Sequence, residues 1–204
     1  MTLRPVRIGI TGPIGCGKST VAHWLGERPG VVVIDADRVA RDVLAAGSPE
    51  LDAVYARFGT NLRGPDGELD RAALGRLVFS DPEALRDLEA IVHPAVRPRI
   101  LAALDAADVG GAPAVVIEAI KLVEGGLADL CDEVWLVTCA PDVQLERLLG
   151  RGSPETEARA RIAAQGDLTD RLRPAATHVL ETDGAPSTVR SRALQRLARA
   201  RADH

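Results

Sequence analysis

Along the chain, apolar and polar positions first alternate as a short strand, Val6–Thr11, which runs into a glycine-rich turn. Lys18–Gly26 then has helical spacing closed by a glycine. Residues 31–35 (VVVID) form a second strand of buried type, and residues 37–46 follow as a helix ended by Gly47. From Ser48 to about Gly111 the period is helical, interrupted by the turn signal Gly64-Pro65-Asp66-Gly67 and by the helix-starting pair Asp81-Pro82. Leu74, Leu77, Val78, Leu85 and Leu88 form the packed face expected there. Strand patterns resume at 114–119, 133–139 and 178–182, and residues 191–202 read as a final helix.

Five short apolar strands joined through helices require crossover connections. The expected fold is therefore an α/β protein with a five-stranded, mainly parallel sheet and helices on both faces. At 204 residues the chain fits a single domain with appended segments. The core must be aliphatic, because only 2% of residues are aromatic while 46% are hydrophobic. A net charge of -4 supplies no global basic field for a nucleic-acid backbone, so none is expected as a partner. The 25 basic residues are nearly all arginines, and the two lysines, Lys18 and Lys121, stand out against that background.

Gly12-Pro13-Ile14-Gly15-Cys16-Gly17-Lys18-Ser19 fits G-x-x-x-x-G-K-[ST] between a predicted strand and a predicted helix. Glycines let such a loop curl so that backbone N–H groups converge on phosphate oxygens, and the helix beginning there adds its positive end. Gly12, Gly15, Cys16, Gly17, Lys18, Ser19 and Thr20 are thus the expected ATP-phosphate contacts. Lys18 reaches the β- and γ-phosphates, and the Ser19 hydroxyl is placed for Mg²⁺. The fold class becomes a P-loop NTPase of three α/β/α layers.

Asp35-Ala36-Asp37 follows the second strand. In extended chain, residues two apart face the same side, so both carboxylates are expected at the carboxyl end of a strand beside the loop. Asp37 is assigned as the base that accepts the proton of an attacking hydroxyl, although it also suits a helix cap; Asp35 orients a Mg²⁺-bound water. Gln144, Arg147 and Arg151 lie on the helix after the fourth strand, with Arg159, Arg161, Arg171 and Arg173 in a polar segment beyond. These arginines suit either a lid closing over phosphates or a solvated surface.

The order of motifs resembles the dephospho-coenzyme A kinase family over nearly the whole chain: GPIGCGKST, VIDADRVAR, Phe58-Gly59, DGELDRAAL, Val78-Phe79, LEAIVHP and QLERLLGR. The resemblance implies ATP-dependent phosphorylation of the ribose 3′-hydroxyl of dephospho-coenzyme A, with Mg²⁺. It also implies Lys18, Asp37 and Arg147 as catalytic residues and Arg71, His93 and Glu124 on the acceptor side. In the layout it implies, residues 1–37, 112–150 and 176–204 form the nucleotide-binding core, 38–111 a helical acceptor insertion and 151–175 a small lid. Two departures stand out. Ile120-Lys121-Leu122-Val123-Glu124 replaces the Pro-Leu-Leu-Phe-Glu common at the family's third strand, where Lys121 suits a phosphate contact or a surface position equally. Thr182-Asp183-Gly184 replaces an Asn before a glycine turn.

A nucleoside or nucleotide kinase of related fold would share the loop and lid but not the LDR and HP segments. A non-catalytic nucleotide switch of the GTPase kind would carry N-K-x-D, which the sequence lacks. Cys16, Cys131 and Cys139 form no C-x-x-C pair and are expected as reduced thiols. With no signal-type segment and no long apolar run, the expectation is a cytoplasmic monomer or small homo-oligomer without a membrane partner.

Overall fold

The computed structural model describes residues 4–64 and 67–204, with the side chains of residues 79 and 80 outside that description. The Pro65-Asp66 centre of the expected turn and the Phe79 side chain therefore lie outside the described residues. The chain divides into two compact units, Met1–Asp35 with Leu104–His204, and Ala36–Ala103.

The first unit holds the sheet. Its strands are β1 (Val6–Thr11), β2 (Val32–Asp35), β3 (Ala114–Glu118), β4 (Glu133–Thr138) and β5 (His178–Glu181). They lie in the order β2-β3-β1-β4-β5, and every pairing is parallel. Every residue of β3 and β4 is buried, which explains why they read as unbroken apolar runs rather than as alternation. β2 and β5 are the edges and are only partly buried.

Helix α1 (Lys18–Gly26) and the last helix cover one face. Val6, Ile8 and Ile10 of β1 meet Val21, Ala22 and Leu25 of α1 in one cluster, joined by Val189, Ala193, Leu197 and Ala200. That final helix runs Pro186–Asp203, five residues longer at its start than the apolar pattern indicates. Pro186 at its first turn needs no N–H partner and presets the helical φ, so a segment that reads as loop opens the helix. Arg196 ties it to the buried Glu133 carboxylate, which also accepts a 2.6 Å hydrogen bond from Trp135 Nε1. On the opposite face, where Arg7 and Gly9 of β1 point, Arg7 pairs with Asp108 at 2.7 Å. A Cβ on Gly9 would lie 2.6 Å from Leu122.

The second unit is helical: α2 (Ala36–Val43), α3 (Pro49–Phe58), α4 (Arg71–Ser80) and most of α5 (Pro82–Val109). Asp81 caps α5 by accepting from the N–H groups of Glu83 and Ala84, with Pro82 at its first position. Leu74 and Val78 are buried as expected, but Leu85 is exposed. The buried line on α5 is Ala84, Val92, Val96 and Ile100. Leu85 stands one residue off that four-residue repeat, about 100° around the helix. The remaining helices are α6 (Pro141–Gly150), α7 (Glu155–Gln165), α8 (Leu168–Leu172) and α9, the Pro186–Asp203 helix. No helix among the described residues is long and apolar enough to cross a membrane.

Candidate active site

β1 carries the chain to the carboxyl edge of the sheet and releases it at Gly12, whose φ is 141°. A Cβ there would lie 2.1 Å from the Val137 carbonyl oxygen, so only glycine lets the loop pass this close to β4. The loop that follows is held from several sides. Gln144 Nε2 donates to the Ile14 carbonyl at 2.6 Å, while Gln165 Oε1 accepts from the Ile14 N–H at 2.9 Å. Thr182 Oγ1 lies 2.8 Å from the Cys16 carbonyl and 3.1 Å from that of Thr138. Lys18 is buried, and its ammonium donates to the Gly12 and Pro13 carbonyls at 2.9 and 3.0 Å. The loop thus presents N–H groups at the start of α1 with a cation folded against it, which is an anion-binding arrangement.

Beside the loop, the Ser19 hydroxyl donates to Glu118 Oε1 at 2.5 Å. Glu118 is the last residue of β3, in register with Ile10 on one side and Asp35 on the other. The parallel register therefore brings a hydroxyl and two carboxylates to one edge. This hard-oxygen set suits Mg²⁺, which takes few protein ligands and keeps its waters.

Asp35 ends β2, but Asp37 does not continue an extended run. The helix begins at Ala36, so Asp37 stands in the first turn of α2 and the expected same-side alternation of the two aspartates does not apply. An acid in that position favours the positive end of the helix.

Arg147, in the last turn of α6, donates from its two terminal nitrogens to Thr182 Oγ1 at 2.8 Å and to the Thr182 carbonyl at 2.6 Å. Asp183 accepts from the Ala140 N–H at 2.7 Å and so fixes the start of α6. Thr182, read from sequence only as a departure, is the junction of loop, β4 and Arg147. A pocket of about 270 Å³ opens next to it, with Val21, Trp24, Pro186 and Val189 as apolar walls and Arg147, Arg151 and Gly184 at its margin.

The other expected residues are spread more widely. Arg159 and Arg161 pair with Glu155 and Glu157 one turn away on α7, and Arg171 pairs with Asp167. In the helical unit, Arg71 donates to the Arg41 and Leu44 carbonyls at 2.9 and 3.5 Å, closing the end of α2, and His93 is exposed on α5. Residues 120–124 form a turn after β3 rather than part of a strand; Lys121 and Glu124 are exposed and Leu122 is fully buried.

The cysteines differ from expectation. Cys16 and Cys139 are joined in a disulfide, their Cα atoms 5.1 Å apart across 123 positions of sequence. The separation hides the contact, which arises because the loop leaving β1 and the residue leaving β4 meet at the same edge. Cys131 remains a free thiol; burial, and then the Asp132 carboxylate, push it up to about 12.

A parallel sheet whose central strand runs into such a loop defines a P-loop nucleotide-binding protein, with an acid-bound serine where such proteins hold Mg²⁺. Within that class the assignment is specific: the family model of dephospho-CoA kinase matches residues 6–187, and the chain belongs to that family. It is 48% identical over 183 residues to a dephospho-CoA kinase of Synechococcus sp. strain CC9605, covering 88% of this chain and 86% of the relative. It is 50% identical over 171 residues to a dephospho-CoA kinase of Streptomyces avermitilis, covering 82% and 80%. A crystal structure of TT1252 from Thermus thermophilus superposes with a TM-score of 0.81 at 37% identity, covering 97% of this chain and 98% of that one.

Proposed function

We propose that this protein transfers the γ-phosphoryl group of MgATP to the ribose 3′-hydroxyl of dephospho-coenzyme A, releasing coenzyme A and ADP as the last step of coenzyme A synthesis. The observation that carries this reading is the Ser19–Glu118 contact at 2.5 Å beside the phosphate loop, in a chain of the dephospho-CoA kinase family.

In this reading Gly12, Gly15, Cys16, Gly17, Lys18, Ser19 and Thr20 are the residues that hold the phosphates. Lys18 exchanges its carbonyl partners for β- and γ-phosphate oxygens. Ser19 and Glu118 would hold Mg²⁺, and Asp35 would orient a water on it; the ion supplies charge neutralisation on the two terminal phosphates. Arg147 stays anchored on Thr182 and stabilises the charge that develops during transfer. The apolar walls of Trp24, Val21, Pro186 and Val189 take the adenine ring.

Asp37 accepts the proton of the attacking hydroxyl. The helical segment 38–111 binds the acceptor, with Arg71 and His93 on it and Glu124 contributing from the turn after β3. Residues 151–175 act as the lid that excludes water. Arg71, already bound to the end of α2, serves the acceptor by positioning that helix, which carries Asp37.

The test is incubation of the purified protein with MgATP and dephospho-coenzyme A, following ADP and coenzyme A by mass spectrometry, with nucleoside monophosphates in parallel. Formation of coenzyme A is the expected result. Phosphorylation of the monophosphates alone would replace the reading with a nucleotide kinase, and ATP binding without transfer would leave a switch.

A further inference from the structure

The phosphate loop carries a chemistry that phosphoryl transfer does not use. Cys16 lies between Gly15 and Gly17, and Cys139 is the first residue after β4, so their bond ties the loop to the neighbouring strand. The Cys16 side chain is fully buried in the hydrophobic cluster formed by β1, β4, α1 and α9. Cys139 is only partly buried against the same cluster. One sulfur is therefore within reach of a small solute and the other is reached only through it. Cys131 is also partly buried, but it has no thiol partner, and its Sγ donates to the Leu127 carbonyl at 3.4 Å.

We propose that Cys16 and Cys139 form a reversible thiol–disulfide modification site whose oxidised form holds the phosphate loop ready for nucleotide and whose reduced form loosens it. The oxidant is a low-molecular-weight disulfide. The proposal rests on the ATP-binding reading of this loop.

The chemistry balances within the pair and the solute. The partly buried Cys139, as its thiolate, attacks one sulfur of the small disulfide, forming a mixed disulfide and expelling one thiolate. Cys16 then attacks the Cys139 sulfur, forming the protein bond and expelling the second thiolate. Two electrons pass from the protein to the small disulfide, and the two protein protons end on the two released thiols. Reduction is the reverse, with a small thiol entering at Cys139.

The direction of the effect follows from what else holds the loop. Its other ties are individual hydrogen bonds, among them Gln144 and Gln165 to Ile14, Thr182 to Cys16, and Lys18 to the Gly12 and Pro13 carbonyls. Breaking the covalent tie leaves more loop freedom to be lost when phosphates bind. Restricting a loop in its bound shape raises affinity by roughly three- to tenfold.

The experiment compares full-length protein treated with glutathione disulfide or with dithiothreitol, each freed of reagent, by intact mass under non-reducing conditions and by calorimetric titration with MgATP. The oxidised protein should be lighter by two hydrogens and bind MgATP roughly three- to tenfold more tightly than the reduced protein. Cys139→Ser should bind like the reduced protein after either treatment, and Cys139→Ala serves if the serine variant folds poorly. Equal affinity of the two forms, no mass change with glutathione disulfide, or an affinity shift retained in the variants would each overturn the proposal alone. Absence of MgATP binding in both forms would remove the nucleotide reading and this proposal with it.

Discussion

Replacing Thr182 by valine tests whether one hydroxyl joins the loop to the rest of the site. Thr182 is 4% exposed, and valine keeps its branched shape while a methyl group takes the place of the hydroxyl. The Thr138 carbonyl already accepts the Thr182 N–H at 2.9 Å, so the hydroxyl proton goes to the Cys16 carbonyl at 2.8 Å. The same oxygen accepts from Arg147, which retains the Thr182 carbonyl at 2.6 Å. The substitution thus removes one buried neutral bond and one of two charged bonds. A buried group left without its partner costs about 1–3 kcal/mol, and a half-buried guanidinium that water can reach costs less, so the sum is about 2–3 kcal/mol. For a domain of this size that corresponds to a melting temperature lower by roughly 5–10 °C. Thermal and urea unfolding of wild type, Thr182→Val and Thr182→Ser read the stability, and the KM for ATP reads the loop. Serine should stay within about 1 kcal/mol of wild type because it keeps the oxygen. The valine variant should lose stability and raise KM severalfold. A valine variant as stable as wild type, with unchanged KM, would refute the assignment of Thr182 as the junction.

Asp37→Asn should bind MgATP normally and lose kcat by roughly 10²–10⁴-fold, measured by coenzyme A formation; unchanged turnover would exclude it as the base. Glu118→Gln keeps an acceptor for Ser19 but removes the charge, so saturating Mg²⁺ should rise by about an order of magnitude. A Mg²⁺ titration of initial rates reads this, and an unshifted curve would remove Glu118 from the metal edge. Burial, and then the Arg196 guanidinium, hold His178 below its ordinary value of 6.5, against the opposing pull of Glu133. The unfolded chain therefore takes up a proton first as pH falls. Stability should be level above about pH 6.5 and decline below it until the folded value is passed. His178→Gln should flatten that decline in urea midpoints, and an unchanged slope would assign the acid sensitivity elsewhere.

The parts of the fold that were legible in the sequence are those whose signals are local. β1 and α1 run as read, Val6–Thr11 and Lys18–Gly26, because an apolar run, a glycine loop and a closing glycine all lie within the elements they delimit. β3, β4 and β5 each end one residue before their expected limits, a boundary difference of ordinary size. The start of α9 was missed because Pro186-Ser187-Thr188 carries loop composition and a helix-initiating geometry at once. Asp35 and Asp37 do not alternate along one side for a related reason: the extended strand gives way to a helix at Ala36, with no turn residue between them to signal the change.

The candidate site divides along the same line. Loop residues were legible because the motif is contiguous. Glu118 was not, since an acid closing an apolar strand marks a boundary in one dimension, and only the register of β3 between β1 and β2 sets it beside Ser19 and Asp35. Its counterpart in sequence was visible: VVIE ends in an acid as VVVID does, and two adjacent parallel strands ending in carboxylates must present both at one edge. Thr182 and Cys139 needed the same step. Each follows the end of a strand on the β4–β5 side of the sheet, and in a parallel sheet such ends gather at the carboxyl edge where the loop turns. Asp35, Cys139 and Thr182 each end a predicted strand and so belong at that edge together, whereas Glu118 joins them because β3 stops one residue short of its predicted limit.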